Sequence, residues 1–530
     1  MSDRERIVLF DTTLRDGQQT PGIDFSVADK VLIAGMLDEL GVDYVEGGYP
    51  GANPTDTEFF AAPRTNAATF TAFGMTARAG RSASNDPGVA ALIQSAASAV
   101  CFVAKAWDYH VRLALGCTNE EAVAAVDASV RAAREAGKEA LLDCEHFFDG
   151  YKANPDYALS VVRTAHEAGA TWVILCDTNG GTLPDEIERI VSEVREAVPE
   201  AALGIHAHDD TGHAVANSLA AVRAGARHIQ GTLNGIGERC GNADLVALIP
   251  TLALKEPYAG RFETGIDADG LRDLTRLSHA VDELLNRAPE PQRPYVGSSA
   301  FATKAGIHAS ALLKEPETYE HVPPEKVGNE RRVMVSDQAG RSNFLDALAR
   351  CGIDVPKDHP KLDGLIATLK EREAAGYAYE AAEASFELLA RKTLGTMPRF
   401  YEVDGFRCLV ERRRNANGDW VTVSEATIKL RIDGEEIMSV AEGDGPVNAL
   451  DRALRKDFGA LADRIADLEL VDYKVRILNG GTEAITRVLI ESQDGEGARW
   501  WTVGVSENII DASFQALQDS IRYKLLRSAS

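Results

Sequence analysis

The chain has 530 residues, 45% of them hydrophobic and 26% charged, as in an ordinary globular protein. Its formal net charge of −25 excludes a nucleic-acid partner, because binding to a polyanion requires a basic surface. The seven cysteines form no C-x-x-C pair and the N-terminus has no apolar signal-peptide core, so we expect a cytoplasmic protein. No stretch reaches the roughly 18 apolar residues of a membrane span, so we expect no membrane partner.

The first part of the chain alternates short β-like runs with Ala-rich helical segments. Eight β–α units in about 250 residues predict an α/β fold of the (β/α)8 TIM-barrel type. A doubly wound open sheet would normally have fewer strands and an early Gly-rich nucleotide loop, and no such loop is visible. The eight predicted strands are IVLFD, VDYVEGG, ATFTAFG, AVCFVAK, EALLDCEH, TWVILCD, ALGIHAH and HIQGTLNG.

Two further regions follow the predicted barrel. We expect the barrel over 1–275, a helical accessory region over 276–395 and a C-terminal α+β domain over 396–530. The last region is duplicated: 424–456 and 484–525 each read as strand, turn with Asp-Gly-Glu, strand and helix. An Asp-Gly dipeptide between β-like runs is a strong hairpin signal. The duplication fits a dimerisation module and an effector-binding regulatory domain equally well.

Polar residues follow nearly every predicted strand, at the end of the barrel where the chemistry of this fold is found. Residues i and i+2 of a strand share a face, so His206 and His208 can reach one ion together. Closure of a barrel makes strands 7, 8 and 1 neighbours. We therefore predict a site for a divalent cation such as Zn²⁺, Mn²⁺ or Fe²⁺. The residues at these strand ends are Asp11, Arg15, Asp16, Glu46, Glu145, His146, Asp177, Thr178, His206, His208, Glu238 and Asn242.

The neighbours of the predicted ligands suggest what the cation would act on. Arg15 offers a planar fork for a carboxylate or an oxyanion, unless it only forms a salt bridge. Glu145 and Thr178 are expected to hydrogen-bond a substrate, although Thr178 could instead cap a helix. Asp209 and Asp210 are expected to hydrogen-bond the ligating histidines or to cap a helix, rather than to bind the cation themselves. Together these groups suit a 2-oxo acid, whose carbonyl the cation would polarise.

Two signatures resemble those of the 2-isopropylmalate synthase, homocitrate synthase and citramalate synthase family of DRE-TIM metallolyases. The first is L-R-D-G-x-Q at 14–19 followed by Lys30, and the second is L-x-x-H-x-H-D-D-x-G at 203–212. NGIGERCGN resembles a third segment, and the resemblance covers essentially the whole chain. It implies a Claisen-type condensation of acetyl-CoA with a 2-oxo acid, followed by thioester hydrolysis. It implies Mn²⁺, Mg²⁺ or Zn²⁺ as cofactor, with Asp16, His206, His208 and Asn242 as ligands.

The resemblance also assigns roles outside the cation site. Arg15 is implied as the electrophilic stabiliser, and Glu145 and Thr178 as substrate contacts. His308 in AGIHAS and Tyr319 match a pair implicated in proton abstraction and acetyl-CoA use. Here the segment after His308 departs from the commoner H-A/Q-D-G form, and one extra residue precedes Tyr319.

Three phrases resemble the citramalate branch more than the isopropylmalate branch: DTTLRDGQQTPGI, VEGGYPGANPTD and EHFFDGYKANPDYAL. This implies pyruvate as the oxo acid, (R)-citramalate as the product and isoleucine as a feedback inhibitor. Since two-fold dimers are the commonest oligomers, we expect a homodimer. The alternative is the isopropylmalate branch, which uses 2-oxoisovalerate. An acyl-CoA lyase and a non-catalytic amino-acid sensor remain as further alternatives.

Overall fold

The computed structural model describes residues 4–285, 287, 289–303, 308, 311–312, 314–333, 341–414, 416–478 and 484–528. The chain divides into two compact units. The first unit contains 1–301 and 320–331, and the second contains 302–319 and 332–530. Within the described ranges, no helix combines the length and the apolar character that crossing a membrane requires.

The first unit contains the predicted TIM barrel. Each of the eight predicted β-like runs coincides with one strand to within a few residues at its ends, and the strands close into a barrel in chain order. All neighbours are parallel, and the last strand pairs with the first and with the seventh. The strands are β1 (Val8–Asp11), β2 (Tyr44–Glu46), β3 (Thr69–Met75), β4 (Ala99–Lys105), β5 (Glu139–Glu145), β6 (Trp172–Asp177), β7 (Leu203–Ala207) and β8 (His228–Gly231).

Helices surround this barrel, and their ends follow from local sequence. Helix α1 starts after Ser26, which forms a reciprocal capping box with Asp29, and ends at Gly41 with a φ of 95°. The helices of the first unit are α1 (Val27–Leu40), α2 (Pro54–Phe59), α3 (Pro87–Gln94), α4 (Asn119–Glu135), α5 (Phe147–Ala153), α6 (Pro155–Ala168), α7 (Pro184–Ala197), α8 (Ala214–Ala224), α9 (Leu245–Leu254), α10 (Tyr258–Arg261) and α11 (Ala268–Leu284).

Aromatic side chains fill the barrel interior around one buried imidazole. The ring of His228 lies 5.2 Å from the ring of Phe10 and 5.2 Å from that of Trp172. Neither ring nitrogen of His228 has a hydrogen-bond partner among the described residues. Burial lowers the pKa of His228 to about 3, so this imidazole is neutral and contributes as a packing group.

The second unit ends in the predicted duplication, but each half has three strands rather than two. Each half is an antiparallel sheet, and the prediction missed its first strand. The side chains of both missed strands are mostly exposed, so their sequences lack the apolar alternation that marks a strand. The elements are α12 (Arg341–Arg350), α13 (Leu362–Ala374), α14 (Glu383–Leu394), β9 (Glu402–Arg414), β10 (Trp420–Ile432), β11 (Glu435–Gly443), α15 (Pro446–Lys456), β12 (Glu469–Ile477), β13 (Thr486–Gln493), β14 (Arg499–Ser506) and α16 (Ile509–Arg527).

The Asp-Gly signal in the first half is a two-residue hairpin turn. Asp433 and Gly434 have φ values of 52° and 87°, and Ile432 pairs with Glu435 directly across the turn. Positive φ at both central positions is the geometry that a tight hairpin requires. In the second half the connection between β13 and β14 is longer, and Gly497 has a φ of 83° there.

Candidate metal centre and substrate site

Asp16, His206 and His208 meet at the C-terminal end of the barrel. His206 lies on β7 and His208 just beyond it, while Asp16 follows β1. One ligand atom from each residue lies within 4.8 Å of the others, and all three side chains are buried. His206 Nε2 lies 3.3 Å from Asp16 Oδ2 and 3.1 Å from His208 Nε2. One carboxylate and two imidazoles therefore face a common point, as a divalent cation requires.

Asn242 adds a fourth group to this point. Its Nδ2 lies 3.1 Å from Asp16 Oδ2 and 3.2 Å from His206 Nε2, while its Oδ1 is buried without a partner. The oxygen and nitrogen of an amide exchange places by a half-turn of the side chain. That half-turn brings the unpartnered oxygen to the ligand atoms of Asp16 and His206. The donor set then fits a divalent cation.

The protonation states of these groups also suit a cation. Burial by itself raises the pKa of Asp16, but Arg15 and the two histidines outweigh it, and the net pKa is lowered. Burial and the neighbouring His206 lower the pKa of His208 to about 3. Asp16 is thus a carboxylate and His208 a neutral imidazole near neutral pH, and these are the forms that bind metal.

Arg15 forms two salt bridges, which is the alternative to a substrate-binding role that the sequence left open. Its Nη1 contacts Asp16, and its Nε donates to Glu46 Oε2 over 2.7 Å. The guanidinium lies 3.9 Å from the centre of the Phe73 ring. No side chain or carbonyl of the described residues accepts from Nη2. The guanidinium group is therefore held through Nε and Nη1, while Nη2 is available to a substrate.

Beneath Arg15 and His206 lies a second buried cluster, formed by Glu46, Cys101 and Asp143. Burial raises the pKa of Glu46 to about 8, raises that of Asp143, and holds that of the Cys101 thiol well above its usual range. A protonated thiol is a poor metal ligand. Glu46 is already bound by Arg15, and Asp143 accepts from Gln230. The side chains of this cluster therefore bind residues that surround the first cation site, and they do not form a second cation site.

The opposite wall carries Glu145 and Thr178. Glu145 Oε2 contacts the ammonium of Lys105 at the end of β4, a partner that sequence reasoning missed. The only signal for Lys105 was a cation closing an otherwise apolar strand. Thr178 Oγ1 accepts the His146 backbone N–H over 2.8 Å. The helix after β6 begins at Pro184 with Leu183 as its N-cap, so Thr178 does not cap it.

Arg239 is a second residue that sequence reasoning did not single out. It has a φ of 56° in the NGIGERCGN segment. Its guanidinium donates to Asp210 over 2.7 Å and to the Thr178 carbonyl over 2.7 Å, and it lies 3.1 Å from His208 Nδ1. Asp209 accepts from the Ala214 N–H at the start of α8. Asp210 thus binds Arg239 beside the site, and Asp209 binds the first turn of α8; neither is placed as a ligand.

Lys30, the last residue of the first signature, has a structural position. Its side chain is fully buried, contacts Asp56 and donates to the Gly47 carbonyl over 2.9 Å. Asp56 also accepts from the Tyr49 N–H. This lysine therefore ties α1 to the loop after β2, beside the site.

A cavity of about 480 Å³ opens at the ends of β3 and β4 in the first unit. Tyr49 lines it, and the Tyr49 ring lies 6.3 Å from the ring of Phe73, which packs under Arg15. The cavity therefore includes Lys105, the partner of Glu145, and its wall at Tyr49 is one aromatic ring away from Arg15. Its cationic lining residues are Arg78, Arg81 and Lys105.

His308 and Tyr319 lie in the second unit. Their ring centres are 4.4 Å apart and the planes differ by 29°, so the two rings are stacked. Both side chains are exposed within the described residues. The two residues that the resemblance paired are therefore neighbours, and their part in a reaction remains a prediction.

Three family models match consecutive parts of the chain. The HMGL-like model matches residues 6–278, the homocitrate synthase post-HMGL domain-like model 295–374, and the LeuA allosteric (dimerisation) domain model 380–525. An (R)-citramalate synthase from Streptomyces coelicolor is 51% identical, covering 98% of this chain and 97% of that protein. One from Aquifex aeolicus is 48% identical, covering 99% and 98%. A 2-isopropylmalate synthase from Carboxydothermus hydrogenoformans is 32% identical, covering 98% of each chain.

Proposed function

The chain belongs to the HMGL-like family, and on that premise we propose that it condenses acetyl-CoA with pyruvate to give (R)-citramalate and CoA. The observation that carries this proposal is full-length identity of 51% to an (R)-citramalate synthase, against 32% to a 2-isopropylmalate synthase. The buried Asp/His/His set beside Arg15 supplies the chemistry that such a condensation needs. The enzyme is an acyltransferase that uses a divalent metal, with acetyl-CoA as co-substrate.

Asp16, His206, His208 and Asn242 would hold the cation, which supplies Lewis acidity to a bound 2-oxo acid. Arg15 Nη2 would bind the ketone oxygen as negative charge develops on it, since Nε and Nη1 are held by Glu46 and Asp16. The cationic cavity at β3 and β4 would receive the phosphate groups of acetyl-CoA.

The opposite wall would orient the oxo acid. Thr178 Oγ1 accepts from the His146 N–H, and its own proton has no acceptor among the described residues. That proton would be donated to the substrate carboxylate. Glu145, held by Lys105, would accept a hydrogen bond from the product hydroxyl as it forms. Thr178 and Glu145 would each be held in place by a protein contact, to His146 and to Lys105. Their remaining hydrogen-bonding groups would therefore bind the substrate in one orientation.

His308 would act as the base, with Tyr319 stacked against its ring. A ring nitrogen of His308 takes a proton from the acetyl methyl group, and the resulting carbon nucleophile adds to the ketone carbon. The ketone oxygen becomes the tertiary hydroxyl by gaining a proton. Water then cleaves the thioester, which releases CoA as the thiol and leaves the second carboxylate.

The second candidate is condensation of acetyl-CoA with 2-oxoisovalerate. Release of CoA thiol with each oxo acid separates the two functions. We expect kcat/KM for pyruvate to exceed that for 2-oxoisovalerate by at least about tenfold, since each extra methylene changes pocket binding by about 1–3 kcal/mol. A preference for 2-oxoisovalerate overturns the citramalate proposal, and release of thiol with neither acid overturns the condensation itself.

For the second unit we propose isoleucine binding and dimerisation. The match of 380–525 to an allosteric (dimerisation) domain supports both. Isoleucine is expected to inhibit the full chain, and a chain lacking the residues from about 400 onward is expected to lose that inhibition. Leucine serves as the control ligand. Inhibition that survives the deletion, or a full chain insensitive to isoleucine, contradicts this part of the proposal.

A further inference from the structure

The amide of Gln230 links the candidate ligand His206 to the buried carboxyl group of Asp143. Gln230 Oε1 lies 2.7 Å from His206 Nδ1, and Gln230 Nε2 donates to Asp143 Oδ1 over 2.9 Å. Gln230 is fully buried, and Asp143 and His206 are 3% and 5% exposed, so water does not compete for these bonds. Gln230 lies on β8, whose register pairs it with His206 on β7.

The hydrogen bonds of the Gln230 amide indicate the tautomer of His206. Gln230 Nε2 donates to Asp143 Oδ1, an oxygen that can accept whether or not the carboxyl group is protonated. Gln230 Oε1 faces His206 Nδ1, and because an amide oxygen can only accept, the hydrogen on His206 lies on Nδ1.

A second set of contacts agrees with this tautomer. Arg239 has only donors and lies 3.1 Å from His208 Nδ1, so Nδ1 accepts from it and the hydrogen of His208 lies on Nε2. That nitrogen is 3.1 Å from His206 Nε2, which must then be the acceptor. The lone pair of His206 thus faces the place where a cation would bind.

We propose that Gln230 and Asp143 are positioning residues that hold His206 in the ligating tautomer before the cation arrives. This inference rests on the proposed cation site and adds two residues to it. His206 is ready to bind, whereas His208 has to release Arg239 first. An outer acceptor that fixes the tautomer and ring orientation of a ligating histidine is worth about 10–100-fold in metal affinity.

The test uses the full chain and Mn²⁺ alone, without substrates. Binding is measured from the electron paramagnetic resonance signal of free Mn²⁺, in the wild type, Gln230→Met, Asp143→Leu and Asp127→Asn. Gln230→Met keeps an unbranched side chain but removes both amide atoms. Asp127→Asn is the control, because it changes an exposed aspartate on α4 that lies outside the site. The tautomer of His206 is read from two-bond ¹⁵N–¹H correlations of ¹⁵N-histidine-labelled, cation-free protein.

Gln230→Met and Asp143→Leu are expected to weaken Mn²⁺ binding about 10–100-fold and to move the His206 hydrogen toward Nε2. Asp127→Asn is expected to change neither. Wild-type affinity in Gln230→Met overturns the proposal. So does an Nε2–H tautomer in the wild type, a measurement that does not depend on any variant folding. A wild type that fails to bind Mn²⁺ instead refutes the cation site.

Discussion

Arg15 and Asp16 are adjacent in the chain, yet they take different parts in the site. Asp16 joins residues more than 180 positions away, while Arg15 is held between Asp16 and Glu46 over the Phe73 ring. At the scale of single residues, the ability of a side chain to bind a substrate depends on which of its hydrogen-bonding atoms already have a protein partner. Among the described residues, one nitrogen of Arg15 and the hydroxyl proton of Thr178 have no partner, so both side chains can bind a further molecule without losing their present contacts.

The role of Asp16 leads to a first prediction. Chelation should abolish thiol release and Mn²⁺ should restore it, because the buried carboxylate offers the only negative charge of the proposed ligand set. Asp16→Asn keeps the size but removes this charge, and should lower Mn²⁺ affinity and kcat at least about 100-fold, or about 2.7 kcal/mol.

Asp209→Asn is the control for that prediction. Asp209 lies beside His208 in sequence, but its carboxylate accepts from the Ala214 N–H, and an asparagine oxygen can do the same. Metal affinity and turnover should therefore be close to wild type. Full activity of a chelated sample, or of Asp16→Asn, speaks against a cation in the reaction.

Lys105 and Glu145 lead to a second prediction, that they act as one unit. Lys105→Met and Glu145→Gln should each lower kcat/KM for pyruvate about tenfold or more, and the double variant should lose no more than the worse single variant. The loss is not additive because either change breaks the same contact. Arg131→Met and Asp127→Asn form a control pair on α4, exposed and expected to be silent. Additive losses at 105 and 145 contradict the idea.

At the scale of elements, the barrel strands carry different groups at their two ends. Strand β8 begins with His228, packed among rings in the interior, and continues to Gln230 beside the site. Strands β5 and β6 likewise end in Glu145 and Asp177. The apolar parts hold the barrel closed, and the polar ends meet because parallel strands all finish at the same edge.

His228 gives a prediction about pH. Its pKa is lowered to about 3, so the unfolded chain binds a proton near pH 6.5 that the folded chain does not. Stability from this group is complete above pH 6.5 and is lost as the pH falls toward 3, by about 1.4 kcal/mol per unit.

Replacing His228 by Phe keeps an aromatic ring in this site and removes the titrating group. The loss of unfolding free energy between pH 7.5 and pH 5.0, measured by urea denaturation, should be about 2 kcal/mol smaller in His228→Phe than in the wild type. An equal pH dependence of the two proteins would show that the pKa of His228 is the same in the folded and the unfolded chain, and would contradict the prediction.

At the scale of the whole molecule, the second unit repeats one motif twice, a three-stranded sheet covered by a helix. Helices α15 and α16 bury one side of the sheets in a common core. Large apolar side chains nevertheless remain exposed on the strands, and exposed apolar patches mark interaction surfaces. They include Leu409, Val410, Trp420, Met438, Leu470, Val475 and Ile477.

A prediction about the proposed dimer follows from this surface. Val475→Lys with Ile477→Lys places two charges on β12, where the native side chains are 43% and 64% exposed. The dimer dissociation constant should rise at least about tenfold, or about 1.4 kcal/mol, by light scattering after size exclusion. Leu113→Lys is the control, since Leu113 is 62% exposed but lies in the first unit. An unchanged dimer in the strand variant places the interface elsewhere.

The sequence by itself determined the barrel, since strand and helix periods alternate clearly and the order of parallel strands fixes which ends are neighbours. It therefore located Asp16, His206, His208 and Asn242, which the structure brings together. It also located the Asp433-Gly434 hairpin, because a local backbone geometry was enough to define it.

Only the tertiary structure decided which partners those residues have. Gln230, Asp143 and Arg239 carry no local signal, and Lys105 only that of a cation at the end of an apolar strand, because each acts through a contact with a distant part of the chain. Strands β9 and β12 were missed for a related reason: pairing with a neighbour, rather than burial of their own side chains, defines them. The hydrophobic periodicity of a sequence reflects which side chains of a segment are buried, whereas its hydrogen-bond partners depend on how distant segments meet in the folded chain.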